Sequence, residues 1–312
     1  MTVPSDKVLT GKNGYLFLTN DTNRVLDQVQ GKLRISQRQL WSTGMTHAAR
    51  AALAASSGSA YHHVIVPDRE TVLSGHLPDD IAPSRFGSTP LEEYQRCGAS
   101  RLQPPFYAPS ILRDAADEQA YFRRDTHWTF DGAWRYLKAM LTNFDIDHSY
   151  IEATQYRAVA YDNPGDLGSK VGAPPEPGHF RVPQADWARP VYDNLMPNVG
   201  RLRLYDNPLG NTNQRWLVLH DSFGEWLTLL IPALAKTTCF IHTPDFDEIF
   251  VRDFQPTRIF CFQIERFFVR PPVNGVDYDM FFAQQAEVKD APLPAPCPEA
   301  LRLLFPQGRP ST

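Results

Sequence analysis

The fold of this chain is decided by the stretch Trp216-Leu217-Val218-Leu219-His220-Asp221-Ser222-Phe223-Gly224. Its first four residues are apolar, which predicts a buried strand. The next segment, from Glu225 to Ala235, is again largely apolar and predicts a helix that Pro232 bends. Ser222 is therefore expected at a strand-to-helix turn, where unpaired backbone N–H groups and the helix dipole favour negative charge.

Strand and helix patterns alternate along the chain. Short runs rich in apolar, β-branched or aromatic residues predict further strands at Tyr15–Leu18, His62–Val66, Arg201–Tyr205, Thr238–Ile241 and Arg258–Ile264. Helical periodicity predicts helices at 38–57 and 130–144, the second with Thr129 or Asp131 as its cap. This alternation predicts an α/β fold with a mainly parallel central sheet flanked by helices. In such sheets, functional residues collect at the carboxyl ends of the strands, where Ser222 is expected.

The chain has 312 residues, enough for a large core. We predict one catalytic domain over residues 1–290. Within it, residues 163–208 have few periodic signals and many Pro, Gly and Asp residues, which predicts an irregular, loop-rich insertion. Residues 291–312 are rich in proline and predict a poorly packed tail.

Composition excludes several function classes. The net charge is −4, which argues against nucleic-acid binding, and Arg123-Arg124 is too short to form a basic patch, although it could hold an anionic substrate near His127. The four cysteines are widely spaced without a C-x-x-C pattern, and His62 and His63 point to opposite faces of a strand. We therefore predict no metal site and no cofactor.

The second informative stretch is Asp125-Thr126-His127-Trp128. In an extended segment, residues two apart point the same way, so the Asp125 carboxylate can orient the His127 imidazole. The neutral imidazole can then accept the proton of the Ser222 hydroxyl, a poor nucleophile at its own pKa. The sequence therefore predicts a catalytic Ser222–His127–Asp125 triad and acyl-transfer chemistry.

These motifs, in this order, resemble the alginate O-acetyltransferase family (AlgJ and AlgX proteins). Further stretches similar to that family run from about Gly11 to Phe268: Gly11–Leu18, Val64–Val72, Gly165-Asp166-Leu167-Gly168 and Glu265-Arg266. The resemblance implies an SGNH-hydrolase-like three-layer fold. It also implies an enzyme that moves acetyl groups onto hydroxyls of an exported polysaccharide through an acetyl-serine, with Ser222 as nucleophile, His127 as general base and Asp125 as orienting carboxylate. Tyr161 and Asp166 stand out only through this likeness.

Two features depart from the family pattern. His220 stands where the family usually has glycine, so a bulky ring is expected to crowd the cleft, displace the strand end or add a second titrating group. The first twenty residues show no signal peptide, and the longest apolar run is about half of the ~20 residues that a membrane span needs. The chain by itself thus suggests a cytoplasmic protein, whereas the family acts outside the cytoplasm with acetyl from a membrane-embedded partner.

Three functions follow as alternatives. The first is an O-acetyltransferase that acts on a glycan, with an acetyl donor and no nucleic-acid partner. The second is a carbohydrate esterase or deacetylase with the same triad, in which water attacks the acyl-enzyme. The third is a non-catalytic glycan-binding scaffold, which is favoured if the His220 ring spoils the site.

Overall fold

The computed structural model of the chain describes residues 6–81, 88–115, 120–183, 188–210 and 213–308. The strands in these residues are β1 (Val8–Thr10), β2 (Leu16–Leu18), β3 (Ala60–Val66), β4 (Tyr156–Asn163), β5 (Glu176–Pro183), β6 (Arg189–Asp193), β7 (Leu202–Asp206), β8 (Arg215–Leu219), β9 (Thr237–Ile241) and β10 (Arg258–Ile264). The α-helices are α1 (Val25–Val29), α2 (Gln37–Ser56), α3 (Arg69–Val72), α4 (Pro90–Arg96), α5 (Ser110–Arg113), α6 (Phe130–Asn143), α7 (Ser149–Ala153), α8 (Gly168–Val171), α9 (Glu248–Phe254), α10 (Tyr278–Lys289) and α11 (Pro298–Leu304).

A six-stranded sheet forms the centre of the molecule, in the order β3-β10-β8-β9-β7-β6. The pairs β3–β10, β10–β8 and β8–β9 are parallel, whereas β9–β7 and β7–β6 are antiparallel. The predicted α/β fold with a mainly parallel sheet is confirmed. All carboxyl ends of the parallel strands meet at one edge, and this edge carries the residues after β3, β8, β9 and β10.

Both faces of the sheet are covered by other elements. Side chains alternate along each strand, so each strand contributes to the core on both faces. In β8, Trp216 and Val218 belong to the core cluster shared with α6, whereas Leu217 and Leu219 belong to the cluster shared with α9 and α11. A strand buried on both faces has to be apolar throughout, which explains the unbroken run in the sequence. No helix in the described ranges is long and apolar enough to cross a membrane.

The helix predicted from Glu225 to Ala235 is wrong. The segment instead forms short 3-10 turns at Trp226–Leu229 and Ile231–Ala233, after a first turn at Ser222–Gly224. Pro232 has no N–H to donate to the residue four positions earlier, and its ring disfavours the helical conformation of Ile231. The cap of α6 is as expected, since the Thr129 side chain accepts from the N–H of Gly132.

The segment 163–208 is more regular than predicted. Besides β7, which was expected at Arg201–Tyr205, it contains β5 and β6, and β4 with β5 forms a separate antiparallel ribbon. Backbone hydrogen bonds between the two strands hold this ribbon together, although the sequence pattern of each strand is too weak to predict it. The proline-rich tail likewise contains α11, whose Ala300 and Leu304 are buried against the sheet. The assignment of 1–290 as one domain stays a prediction.

A buried histidine pair makes the fold sensitive to acid. The rings of His63 in β3 and His47 in α2 stack with centroids 3.5 Å apart, and burial, aided by the charge of Arg50, lowers the pKa of His63 to about 3. The unfolded chain takes up a proton near pH 6.5 and the folded chain does not, so stability falls as pH drops from about 6.5 toward 3. Between pH 7 and pH 4.5 the free energy of unfolding should fall in both proteins. We expect this fall to be smaller in the His63→Gln protein than in wild type, by roughly 2–3 kcal/mol.

Urea unfolding at both pH values measures this difference. His179→Gln is the control, because the side chain of His179 is 50% exposed. Equal losses in wild type and His63→Gln would show that His63 is not held neutral.

Candidate active site

Ser222 lies directly after β8, at the carboxyl edge of the sheet. Asp221 has an extended backbone two residues past the end of β8, and its carboxylate accepts hydrogen bonds from the N–H of Phe223 at 2.9 Å and of Ile264 at 2.6 Å. These bonds tie the turn to the end of β10, so Asp221 stabilises the turn. The Ser222 side chain is left facing a cleft at the edge of the sheet.

The structure brings the three predicted site residues together. His127 Nδ1 lies 2.7 Å from Asp125 Oδ1, and His127 Nε2 lies 2.9 Å from Ser222 Oγ. The Asp125–Trp128 motif was expected to be extended, but its backbone bends at residues 126 and 127. Asp125 Oδ1 also accepts from the backbone N–H of His127 at 2.9 Å, so a local turn rather than strand alternation places the two side chains side by side.

The surroundings of Asp125 favour its charged form. Burial by itself raises the pKa of Asp125, but the hydrogen bonds and charge of His127 outweigh burial and hold this pKa below its ordinary value. The other carboxylate oxygen accepts from the backbone N–H of Asp166 at 3.3 Å and lies 3.4 Å from Asn163 Nδ2. An ionised carboxylate can only accept hydrogen bonds, so the proton stays on His127 Nδ1. His127 Nε2 therefore offers a lone pair to the Ser222 hydroxyl.

Asp166 is a second support of the Asp125–Trp128 motif, and the residue pattern by itself did not predict it. Asp166 accepts from the backbone N–H of Thr126 at 2.7 Å and from its hydroxyl at 2.6 Å. Gly165 lies at φ +66°, and a side chain there would meet the carbonyl oxygen of Arg124 at 2.2 Å. Only glycine permits this close approach. The Gly-Asp-Leu-Gly stretch was the signal in the sequence.

The donors that could hold an oxyanion are fewer than a helix start would offer. The N–H of Phe223 bonds the Asp221 side chain, and the N–H of Gly224 bonds the Asp221 carbonyl at 3.0 Å. Among the described residues, the N–H of Ser222 has no hydrogen-bond partner. It is therefore the donor left in the turn that can face a developing oxyanion.

Behind the turn lies a buried ion pair. Arg266 donates to Asp68 at 2.6 Å, and both side chains are almost fully buried. The Arg266 guanidinium also lies over the ring of Phe223, 5.4 Å from its centroid. Its neighbour Glu265 accepts from the N–H of Asp68 at 2.9 Å, and burial raises the pKa of Glu265 to about 7. These residues join the ends of β3 and β10 beneath Ser222, which is a structural role.

His220 does not crowd the cleft or displace the strand, contrary to expectation. Its backbone N–H bonds the carbonyl of Ile241 at 3.1 Å and so continues the pairing of β8 with β9. The fully buried ring lies under the turn, where a side chain on Gly224 would come within 2.3 Å of its Nδ1. A bulky residue at 220 is thus matched by glycine at 224. Burial lowers the pKa of His220 to about 3, so the ring is neutral at physiological pH.

The cleft in front of Ser222 has a volume of about 480 Å³. Trp226 and Tyr161 lie in its wall with ring centroids 6.1 Å apart, and Trp226 also packs on Phe180, 5.7 Å away between centroids. Besides the triad, its lining includes Phe122, Trp128, Tyr161, Asn163, Asn198, Arg201, Glu225, Trp226 and His242. Trp128 is only 1% exposed and belongs to the core, so Trp226 offers the more accessible indole.

Arg123 and Arg124 line a neighbouring cavity of about 430 Å³ rather than this cleft. The Arg124 guanidinium donates to the carbonyl of Pro174 at 2.6 Å, and the Arg123 guanidinium lies over Tyr15. Among the described residues, two groups of side chains could bind a metal ion, since their ligand atoms lie within 4.8 Å of one another. They are Asp125 with His127 and Asp166, and His220 with Glu225 and His242. The first is already engaged in hydrogen bonds among its members and with Ser222.

The fold has solved counterparts. Bacillus cereus PatB1 superposes with a TM-score of 0.60 at 15% identity, over 84% of this chain and 96% of that one. The O-acetyltransferase domain of Pseudomonas putida AlgJ gives 0.53 at 16% identity, over 90% and 99%. Pseudomonas aeruginosa AlgX gives 0.51 at 14% identity, over 82% and 61%. At these identities the likeness establishes the fold. No curated protein sequence matches the chain.

In this α/β sheet a serine and a histidine-bearing loop lie together at the carboxyl edge of the parallel strands. The family model of the SGNH hydrolase-like domain of acetyltransferase AlgX matches residues 8–195. The chain belongs to this family and is an O-acyltransferase of the SGNH-hydrolase-like type, so the resemblance to AlgJ and AlgX proteins is confirmed.

Proposed function

We propose that the chain transfers an acetyl group from a donor to a hydroxyl of a glycan through an acetyl-Ser222 intermediate. The observation that carries this proposal is the single line of hydrogen bonds from Asp125 through His127 to Ser222, at 2.7 and 2.9 Å. In this line Ser222 is the nucleophile, His127 the general base and acid, and Asp125 the carboxylate that orients and stabilises the imidazolium.

The proposed reaction has two halves. Ser222 Oγ attacks the acetyl carbonyl while its proton moves to His127 Nε2, and the N–H of Ser222 stabilises the oxyanion. The bond from acetyl to donor breaks, and the proton of His127 goes to the leaving group. An acceptor hydroxyl then gives its proton to His127 and attacks the acetyl-serine. This step forms the new ester and returns the proton to Ser222.

A glycan acceptor is supported by the shape and chemistry of the cleft. Indole and phenol rings stack on the apolar faces of sugars, and Trp226 and Tyr161 form such a wall beside Ser222. Burial and the charge of Asp125 raise the pKa of Tyr161 to about 12, so its hydroxyl stays a neutral hydrogen-bond group. Alginate and other uronic-acid polymers are the first acceptors to test.

The test is to follow one acetyl group from donor to product. We expect p-nitrophenyl acetate to leave one acetyl on Ser222, seen by intact mass and peptide mapping, and added oligouronates to remove it as acetylated sugar. Acetate released without sugar acetylation, over a panel of oligosaccharides, would favour the esterase with the same triad. A wild-type enzyme that takes up neither acetyl nor a serine-directed sulfonyl fluoride would favour the non-catalytic scaffold.

A further inference from the structure

Two buried histidines beside the Ser222 turn each carry a ring nitrogen without a partner. His220 is 0% and His242 is 4% exposed. His220 Nε2 and His242 Nδ1 are both buried, and neither atom has a hydrogen-bond partner among the described residues. A buried ring nitrogen without a partner is unfavourable, so two of them, on rings whose centroids are 5.0 Å apart, suggest that the site has an occupant.

The tautomer of His220 prepares it as a ligand. Its Nδ1 lies 2.6 Å from the carbonyl oxygen of Asp221, and a carbonyl can only accept, so Nδ1 carries the proton. The lone pair is then on Nε2, the nitrogen without a partner. A backbone carbonyl that accepts from the non-coordinating nitrogen is the usual second contact of a metal-bound histidine.

We propose that His220, Glu225 and His242 bind a divalent transition-metal ion, for which Zn²⁺ is the best match. Each of the three offers one ligand atom within 4.8 Å of the other two, and Glu225 Oε1 lies 3.9 Å from His242 Nδ1. Two imidazoles and one carboxylate suit zinc with an open fourth position. Tetrahedral ligands of zinc lie roughly 3.4 Å apart, so binding requires the half-exposed Glu225 to move inward by about an ångström.

The site has an entry path and a role. Glu225 and His242 line the cleft, while His220 closes the site from below. The three residues come from the end of β8, from just after the Ser222–Gly224 turn and from the end of β9. A bound ion therefore ties the turn that carries Ser222 to two neighbouring strand ends.

The charge of Arg203 opposes the ion and limits its affinity. Arg203 donates to both oxygens of Glu225, at 2.7 and 2.8 Å. A carboxylate has about four lone-pair directions, so Glu225 can keep this ion pair and still offer one to a metal. We therefore expect micromolar binding rather than the tighter binding of closed structural sites.

Calorimetric titration of the chelator-treated full chain with ZnCl₂ tests the proposal. We expect one ion per chain with a Kd of roughly 1–10 μM, a Tm raised by several degrees in excess Zn²⁺, and tetrahedral absorption bands with CoCl₂. His242→Gln and Glu225→Gln should each weaken Zn²⁺ binding by about 100-fold or more. Both variants are first checked for wild-type circular dichroism, and Glu225→Gln is the safer one because its side chain is 44% exposed.

His127→Ala separates this site from the Asp125–His127–Asp166 group, and His179→Gln controls for surface histidines. Both should bind Zn²⁺ as wild type does. The proposal is overturned by no binding up to about 1 mM, by undiminished binding in His242→Gln and Glu225→Gln, or by binding that only His127→Ala abolishes.

Discussion

Ser222→Ala and His127→Ala are each expected to lower p-nitrophenyl acetate turnover by about 10³-fold or more. Ser222→Ala removes the atom that carries the acetyl group. His127→Ala removes the group that accepts the hydroxyl proton 2.9 Å away. Because the two residues act as one unit, the double variant should be little worse than either single variant. Stopped assays of chromophore release, normalised to folded protein, measure these losses.

Matched controls are available in the same chain. Ser149→Ala and His148→Ala change a serine and a histidine at the start of α7, and both should keep wild-type turnover. Full activity in Ser222→Ala would rule out the acetyl-serine, whereas additive losses in the double variant would argue that Ser222 and His127 act in separate steps.

Gly224→Ala is expected to lower turnover by about 100-fold or more and to destabilise the fold by roughly 1–3 kcal/mol. The added methyl group would lie 2.3 Å from Nδ1 and 2.6 Å from Cβ of His220. Since Cβ is anchored to the strand, the ring cannot simply rotate away. The turn must shift instead, and Ser222 moves with it. Thermal unfolding and ester hydrolysis together measure the effect.

A double variant isolates the cause. His220→Gly combined with Gly224→Ala removes the ring that the methyl group meets, so it should recover much of the activity that Gly224→Ala loses. Gly75→Ala is the control, because a side chain at Gly75 meets nothing within 4 Å. Gly224→Ala with wild-type stability and turnover, or a double variant no better than Gly224→Ala, would disprove the coupling of the two positions.

Regular elements could be predicted where the pattern is strong and local. The buried strand Trp216–Leu219 is an unbroken apolar run and the amphipathic helix from Phe130 has a clear helical period, and both are present within a residue or two. The prediction failed for 225–235, where the apolar pattern of a helix concealed the effect of Pro232. The strands β5 and β6 within 163–208 were not predicted, because their pairing with β4 and β7 depends on a partner strand rather than on local preference.

For the site, the sequence supplied the residue types and the tertiary structure supplied the contacts. Asp125, His127 and Ser222 could be named from two motifs, but their contact across 95 positions required a sheet that brings strand ends to one edge. The Gly165–Gly168 stretch marked Asp166 without indicating its contact with Thr126, and the fit of His220 under Gly224 carried no local signal, since each joins residues whose proximity is set by packing.

The sequence by itself therefore determined the fold class and the family, and it predicts the acid–base–nucleophile set, because these depend on hydrophobic period and on residue chemistry, which a chain carries locally. Only the tertiary structure decided which N–H of the turn is left without a partner, that His220 lies beneath the turn instead of in the cleft, and that its ring lies beside that of His242. Hydrogen-bond satisfaction and steric fit are properties of atoms brought together from distant parts of the chain, so they come into being only on folding.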